Sequence, residues 1–136
     1  MTPPVVVHVD GGARGNPGPA AVAAVVSGQD GAVLAEEGRY IGEATNNVAE
    51  YQALLLGLEL ARSVGARSVD VVNDSELVAR QIGGQYKVKN PGLRPLWQEA
   101  MAALREFDRW SVRNVPRAQN ARADELVNEA LDQAAG

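Results

Sequence analysis

The chain has 136 residues, a formal net charge of −4, 46% hydrophobic but only 4% aromatic residues, and no cysteine. That length suits a single domain over residues 1–136, with an aliphatic core that needs neither disulfide nor structural metal. The absence of cysteine excludes disulfides, thiolate catalysis and cysteine-ligated zinc, and with no leader-like start and no apolar run near the roughly 18 residues of a membrane span, the expected state is soluble, unexported and cytoplasmic.

Val5 to Val9 is apolar at nearly every position, the pattern of a central strand covered on both faces. It delivers Asp10 to the start of a turn-forming stretch, Gly11 to Pro19. Ala20 to Ser27 and Ala32 to Ile41 are β-prone runs separated by Gly28, Gln29, Asp30 and Gly31, so strands one to three are expected as an antiparallel meander. From Thr45 the period becomes helical: Tyr51, Leu54, Leu55, Leu58 and Ala61 share a face, Asn47 and Glu50 have capping-box spacing, and Gly65 ends the helix after Val64. Val69 to Asn73 reads as a strand parallel to the first, and it too ends in an acid, Asp74. A short helix, Ser75 to Ile82, leads into a basic connector, Gln85 to Pro95, and a helix from Leu96 to Phe107. Trp110 to Val115 is the last strand, Pro116 to Asn120 a basic loop, and Arg122 to Ala134 a closing helix. The order βββαβααβα implies a mixed sheet with helices on its faces.

In open α/β sheets, sites form beyond the carboxyl ends of parallel strands, where Asp10 and Asp74 stand. Glu50 falls in the first turn of the first helix and Asp124 in that of the last, so four carboxylates can converge. Singly, three of them have ordinary roles: Glu50 completes a capping box, Asp74 caps the next helix, and Asp124 complements a helix dipole. Asp10, between a valine strand and a glycine loop, has none. Gathered together, four acids raise one another's pKa unless hard cations neutralise them, and two Mg²⁺ ions held by carboxylates are the apparatus of in-line phosphoryl displacement.

His8 reads as a buried or half-buried structural histidine rather than a catalytic base. Gly11 to Pro19 lacks a Walker ending and leads into a strand, which argues against a nucleotide P-loop. Asn16, Thr45, Asn46 and Asn47 are short hydrogen-bonding side chains beside the acids, suited equally to turns and caps or to reading a sugar hydroxyl. Nine of the 13 basic residues lie between Arg80 and Arg122, so the segment from Glu76 to Arg122 nets +5 against −9 elsewhere. A basic side next to an acidic centre can hold a polyanion by its backbone while presenting metal ions to it.

Five stretches, Asp10-Gly11-Gly12, Gly15-Asn16-Pro17-Gly18, Thr45-Asn46-Asn47-Val48-Ala49-Glu50, Asn73-Asp74-Ser75 and Ala123-Asp124-Glu125-Leu126, resemble type 1 ribonuclease H (ribonuclease HI) in order and separation, over essentially the whole chain. The resemblance implies an α/β, ribonuclease H-like fold with a five-stranded mixed sheet flanked by helices. It also implies Mg²⁺-dependent endonucleolytic cleavage of the RNA strand of RNA–DNA hybrids, leaving 5′-phosphate and 3′-hydroxyl ends, with Mn²⁺ as a substitute metal. Asp10 would bridge two ions, Asp124 would hold the water-activating one, and Glu50 with Asp74 the leaving-group one. Asn16, Asn46 and Asn47 would meet the RNA minor groove and Thr45 a DNA phosphate.

Three departures from the family pattern stand out. Arg117 occupies the loop where many relatives carry a histidine, and is expected to touch substrate. The basic connector is short, with only Lys87, Lys89 and Arg94, so the Arg113, Arg117 and Arg122 group is expected to assist hybrid binding. Glu76 stands where a glutamine is common. The expected partner is an RNA–DNA hybrid, with no membrane and a monomeric chain; the alternative is a hybrid-binding module of little turnover, which the presence of all four acids disfavours.

Overall fold

The computed structural model describes residues 3–136. Along the chain run β1 (Val5–Ala13), β2 (Gly18–Ser27), β3 (Val33–Ala44), α1 (Asn46–Ser63), β4 (Ser68–Asn73), α2 (Glu76–Ile82), α3 (Arg94–Arg105), β5 (Arg109–Asn114), a 3-10 turn (Arg117–Asn120) and α4 (Ala121–Ala135). The strands form one five-stranded sheet in the order β3-β2-β1-β4-β5. β1 to β3 make the expected antiparallel meander, while β4 and β5 join parallel to β1 after helical connections. The fold class is thus as expected: a mixed sheet flanked by helices.

Alternation along β1 turns Val5, Val7 and Val9 into the core, where α1 crosses β1 and β2. α1 also packs against α3, so its buried residues, among them Ala49, Tyr51, Leu54, Leu56 and Leu58, exceed the single stripe its periodicity suggests. Leu56 is buried although it lay outside that stripe, and Leu55 is only half-buried. On the other face, α4 sets Leu126, Val127 and Leu131 against Ala21, Ala23 and Val25 of β2.

Two local expectations change. β1 does not break at Asp10: it continues through Gly11, Gly12 and Ala13, paired with Val22, Ala21 and Ala20 of β2. The turn comes later, closed by Arg14 N–H donating to the Pro19 carbonyl at 2.8 Å. Gly11 marks a close backbone approach instead, since a Cβ there would lie 2.3 Å from the Ala49 carbonyl oxygen of α1. The helix cap also differs. Thr45 is the N-cap, its hydroxyl accepting from Val48 N–H at 3.2 Å, so Asn47 lies inside the helix and Glu50 is free of any capping duty.

The tightest contact between α1 and the sheet falls at Gly57, where an added Cβ would sit 2.6 Å from Val9 Cγ1 and 2.7 Å from Val7 Cγ1. Alanine is a better helix former by about 1 kcal/mol, but overpacking a filled core costs about 1–3 kcal/mol, and both valines are fully enclosed. Gly57→Ala is therefore expected to lower stability in urea unfolding; a gain would show that α1 can lift off the sheet freely.

Candidate active site

The site arises where the sheet opens. The parallel pairing of β1 with β4 ends at His8 and Val72, and the two strands separate beyond it. Asp10, only 6% exposed, stands on β1 just past that point, held in line by pairing with Ala23 of β2. Asp74 immediately follows β4. Its neighbours fix it: the buried Asn73 accepts from Ser75 N–H through Oδ1 at 2.8 Å, and the Ser75 hydroxyl caps α2 by accepting from Val78 N–H at 3.3 Å. Ser75, not Asp74, is thus the cap, and the Asp74 carboxylate remains available.

Glu50 comes from the first turns of α1 and is buried; its Oε1 accepts from Gly11 N–H at 3.0 Å. The close approach at Gly11 therefore also aims Glu50 at Asp10. Asp10, Glu50 and Asp74 each offer a carboxylate oxygen within 4.8 Å of the others. Asp124, from the first turn of α4, lines the same cleft of about 430 Å³ but lies outside that trio, with its Oδ1 accepting from Arg117 Nη2 at 2.9 Å.

Burial dominates the electrostatics. It pushes the Asp10 carboxyl up to about 7, with Asp74 and Asp124 adding repulsion, and the Glu50 carboxyl up to about 9, with Asp10 adding to the effect. Three acids at such spacing, two of them buried, are a donor set of oxygens only, and hard divalent cations suit it.

The remaining residues singled out in the sequence divide. Asn46, Asn47 and Arg117 line the cleft. Asn16 and Thr45 stand behind it: Asn16 Oδ1 accepts from Asn46 N–H at 3.0 Å, Asn46 Oδ1 accepts from Ala13 N–H at 2.9 Å, and Thr45 caps α1. Of the three arginines expected to act together, only Arg117 reaches the cleft. Arg113 pairs with Asp70 at 3.2 Å, and Arg122 pairs with Glu36 and Glu125. His8 lies outside the cleft, half-buried, and burial lowers its pKa, in keeping with a structural role. The sequence reading missed Asn73 as the brace behind Asp74, and Asn128 as part of the cleft wall on α4. Asn73 carried a signal, as a buried amide ending an apolar strand; Asn128, exposed one turn beyond Asp124, carried only its helical spacing.

A family model described as reverse transcriptase-like matches residues 8–130. The chain is 48% identical over 130 residues to Ribonuclease HI of Halobacterium salinarum, covering 96% of this chain and 65% of that protein. The crystal structure of that organism's RNase H1 superposes with a TM-score of 0.93, covering 95% of this chain and 98% of the solved one. The chain belongs to the ribonuclease HI family. Another relative is the N-terminal RNase H domain of the bifunctional Rv2228c protein of Mycobacterium tuberculosis, at 49% identity and a TM-score of 0.95, covering 98% of this chain and 97% of the solved one. LC11-RNase H1, solved in complex with an RNA/DNA hybrid, is 44% identical with a TM-score of 0.93, covering 97% of this chain and 99% of that one. The chain spans 65% of the length of the halobacterial protein and 36% of the whole mycobacterial one.

Because the folded chain raises the pKa of Asp10 and Glu50, it keeps protons that the unfolded chain releases near the ordinary carboxylate range. Stability of the metal-free chain is therefore greatest below that range and declines as the pH climbs through about 7 and then 9. In EDTA, the thermal midpoint is expected to fall by several degrees between roughly pH 5 and pH 9. Asp10→Asn should flatten that decline. A midpoint that held level or rose with pH in the unmodified chain would contradict the raised pair.

Proposed function

We propose that this chain is an endoribonuclease that hydrolyses the RNA strand of RNA–DNA hybrids with Mg²⁺, leaving 5′-phosphate and 3′-hydroxyl ends. The single observation that carries the reading is the meeting of Asp10, Glu50 and Asp74 within 4.8 Å at the open end of the sheet. The family supports the substrate, since LC11-RNase H1 is a relative solved with an RNA/DNA hybrid. Asp10, Glu50 and Asp74 would hold one Mg²⁺, and Asp10 with Asp124 a second, with Mn²⁺ able to replace either. When bound, such ions supply Lewis acidity at the scissile phosphate and lower the pKa of an attacking water.

The chain's own residues do the rest. Water attack needs no protein nucleophile, and the cleft offers none of the usual pairs: it contains no cysteine and no histidine. Asn46 and Asn47 present backbone and amide groups on the cleft wall at the height of Glu50, suited to reading sugar hydroxyls in the minor groove of a hybrid. Asn16 and Thr45 stiffen that wall from behind. Arg117 and Arg14 are the cations lining the cleft; Arg14 is paired with Asp132, while Arg117 is exposed enough to meet a phosphate, and in releasing Asp124 it exchanges a carboxylate for a phosphate and frees that carboxylate for a metal ion. Among the described residues no helix is long and apolar enough to cross a membrane. We place the chain in the cytoplasm, acting as a monomer and as one domain.

A labelled hybrid offered beside DNA duplex, RNA duplex and single-stranded RNA tests the reading. Mg²⁺-dependent cutting confined to the hybrid's RNA is expected. Asp10→Asn should lose roughly a thousandfold in rate, because removing a shared ligand takes away several kcal/mol of transition-state stabilisation. Binding without cutting, in both Mg²⁺ and Mn²⁺, would turn the assignment to a hybrid-binding module. Arg117→Ala should raise KM for the hybrid, whereas Arg113→Ala, which disrupts only an exposed ion pair outside the cleft, should leave it unchanged.

A further inference from the structure

Asn120 stands at the joint between the 3-10 turn and α4 and is 1% exposed. An asparagine just before a helix ordinarily caps it, yet this side chain makes no capping bond. Its Nδ2 instead donates to the Val9 carbonyl at 2.8 Å, across 111 residues of sequence. Val9 immediately precedes Asp10 and lies past the last pair between β1 and β4. The other end of the same amide, Oδ1, is buried without a partner among the described residues. A residue needed there only to fill space would be aliphatic, because an unpaired buried carbonyl destabilises the fold. The amide is kept for the one bond it donates.

That bond spans the cleft's two halves. The joint carries Arg117 three residues before Asn120 and Asp124 four residues after it, and both line the cleft opposite Asp10. α4 otherwise rests on the sheet through the apolar contacts of Leu126, Val127 and Leu131 and through the exposed pairing of Arg122 with Glu36 of β3, which ties it to the far strand and not to β1. Among the described side-chain hydrogen bonds, Asn120 to Val9 is the one that ties this joint to β1. We infer that Asn120 is a positioning residue: it sets the separation of Asp10 from Asp124 and Arg117, and thereby the cleft's hold on divalent cations. The inference rests on the metal-dependent reading given under Proposed function.

The test uses the whole chain with Asn120→Leu, which keeps the volume and removes the donor. Mg²⁺ binding to the metal-free chain is read by calorimetry, the thermal midpoint by circular dichroism, and kcat and KM on a hybrid. The midpoint is expected a few degrees below the wild-type value with the chain still folded, since the Val9 carbonyl loses its donor while the unpaired Oδ1 is removed. Mg²⁺ affinity and kcat should each fall about tenfold or more, the size of effect typical when a group that orients metal ligands is lost, with KM within about twofold. A folded variant whose Mg²⁺ affinity and kcat stay within about twofold of wild type overturns the inference. Should Asn120→Leu fail to fold, Asn120→Ala is compared with Leu126→Ala, which loosens α4 but keeps the donor. Loss of Mg²⁺ affinity in the first alone supports the role, and equal loss in both refutes it. If the wild-type chain binds Mg²⁺ and leaves every hybrid intact, the nuclease reading fails while the calorimetric comparison still decides the part played by Asn120.

Discussion

The backbone crossing of α1 over β1 at Gly11 is the constraint on which the site depends. The helix passes so close that any side chain at residue 11 would collide with the Ala49 carbonyl. That proximity lets the Gly11 N–H reach the Glu50 carboxylate, and the same short distance presses Glu50 against Asp10. One missing Cβ thus governs the position of a helix, the orientation of an acid and the desolvation of two carboxyl groups. The helix cap at Thr45 and the amide links through Asn16 and Asn46 hold the same crossing from its outer side.

The crossing sets a conflict between folding and chemistry. Burying Asp10 and Glu50 beside Asp74 disfavours their charged forms, and burial contributes more than their mutual repulsion. A chain built for stability alone would place apolar groups there. The acids are tolerated because the rest of the sheet is closely filled, with Val7, Val26, Val71, Leu54 and Leu104 fully enclosed. Arg117 relieves Asp124 at the rim, where solvent reaches both partners and the ion pair contributes little to stability.

Much of this was legible in the sequence, and the exceptions have a common origin. Strand and helix periods gave the order of elements and the mixed sheet, because those signals are local. The four acids were readable from local signals: Asp10 and Asp74 each close an apolar run, and Glu50 and Asp124 lie near the start of a helical period, although β1 runs on past Asp10 and Glu50 stands beyond the first turn of α1. What escaped were contacts made through space. Gly11 and Gly12 carry the composition of a turn, yet pairing with Val22 and Ala21 of β2 keeps them in a strand. Arg113 and Arg122 belong to the basic segment, but Asp70, Glu36 and Glu125 neutralise them away from the cleft. Asn120 looked like an ordinary loop residue, since nothing near it in sequence points to a carbonyl on the first strand.

The cleft is also divided along the chain. All five strands lie before residue 115, whereas Asn120 ends the 3-10 turn and Asp124 stands on the last helix. Asp10, Glu50 and Asp74 are thus set by elements of the first 114 residues, and the fourth acid by a separate segment that reaches the site only by lying down on the sheet. One wall of the cleft hangs on the docking of that segment, and the trio does not.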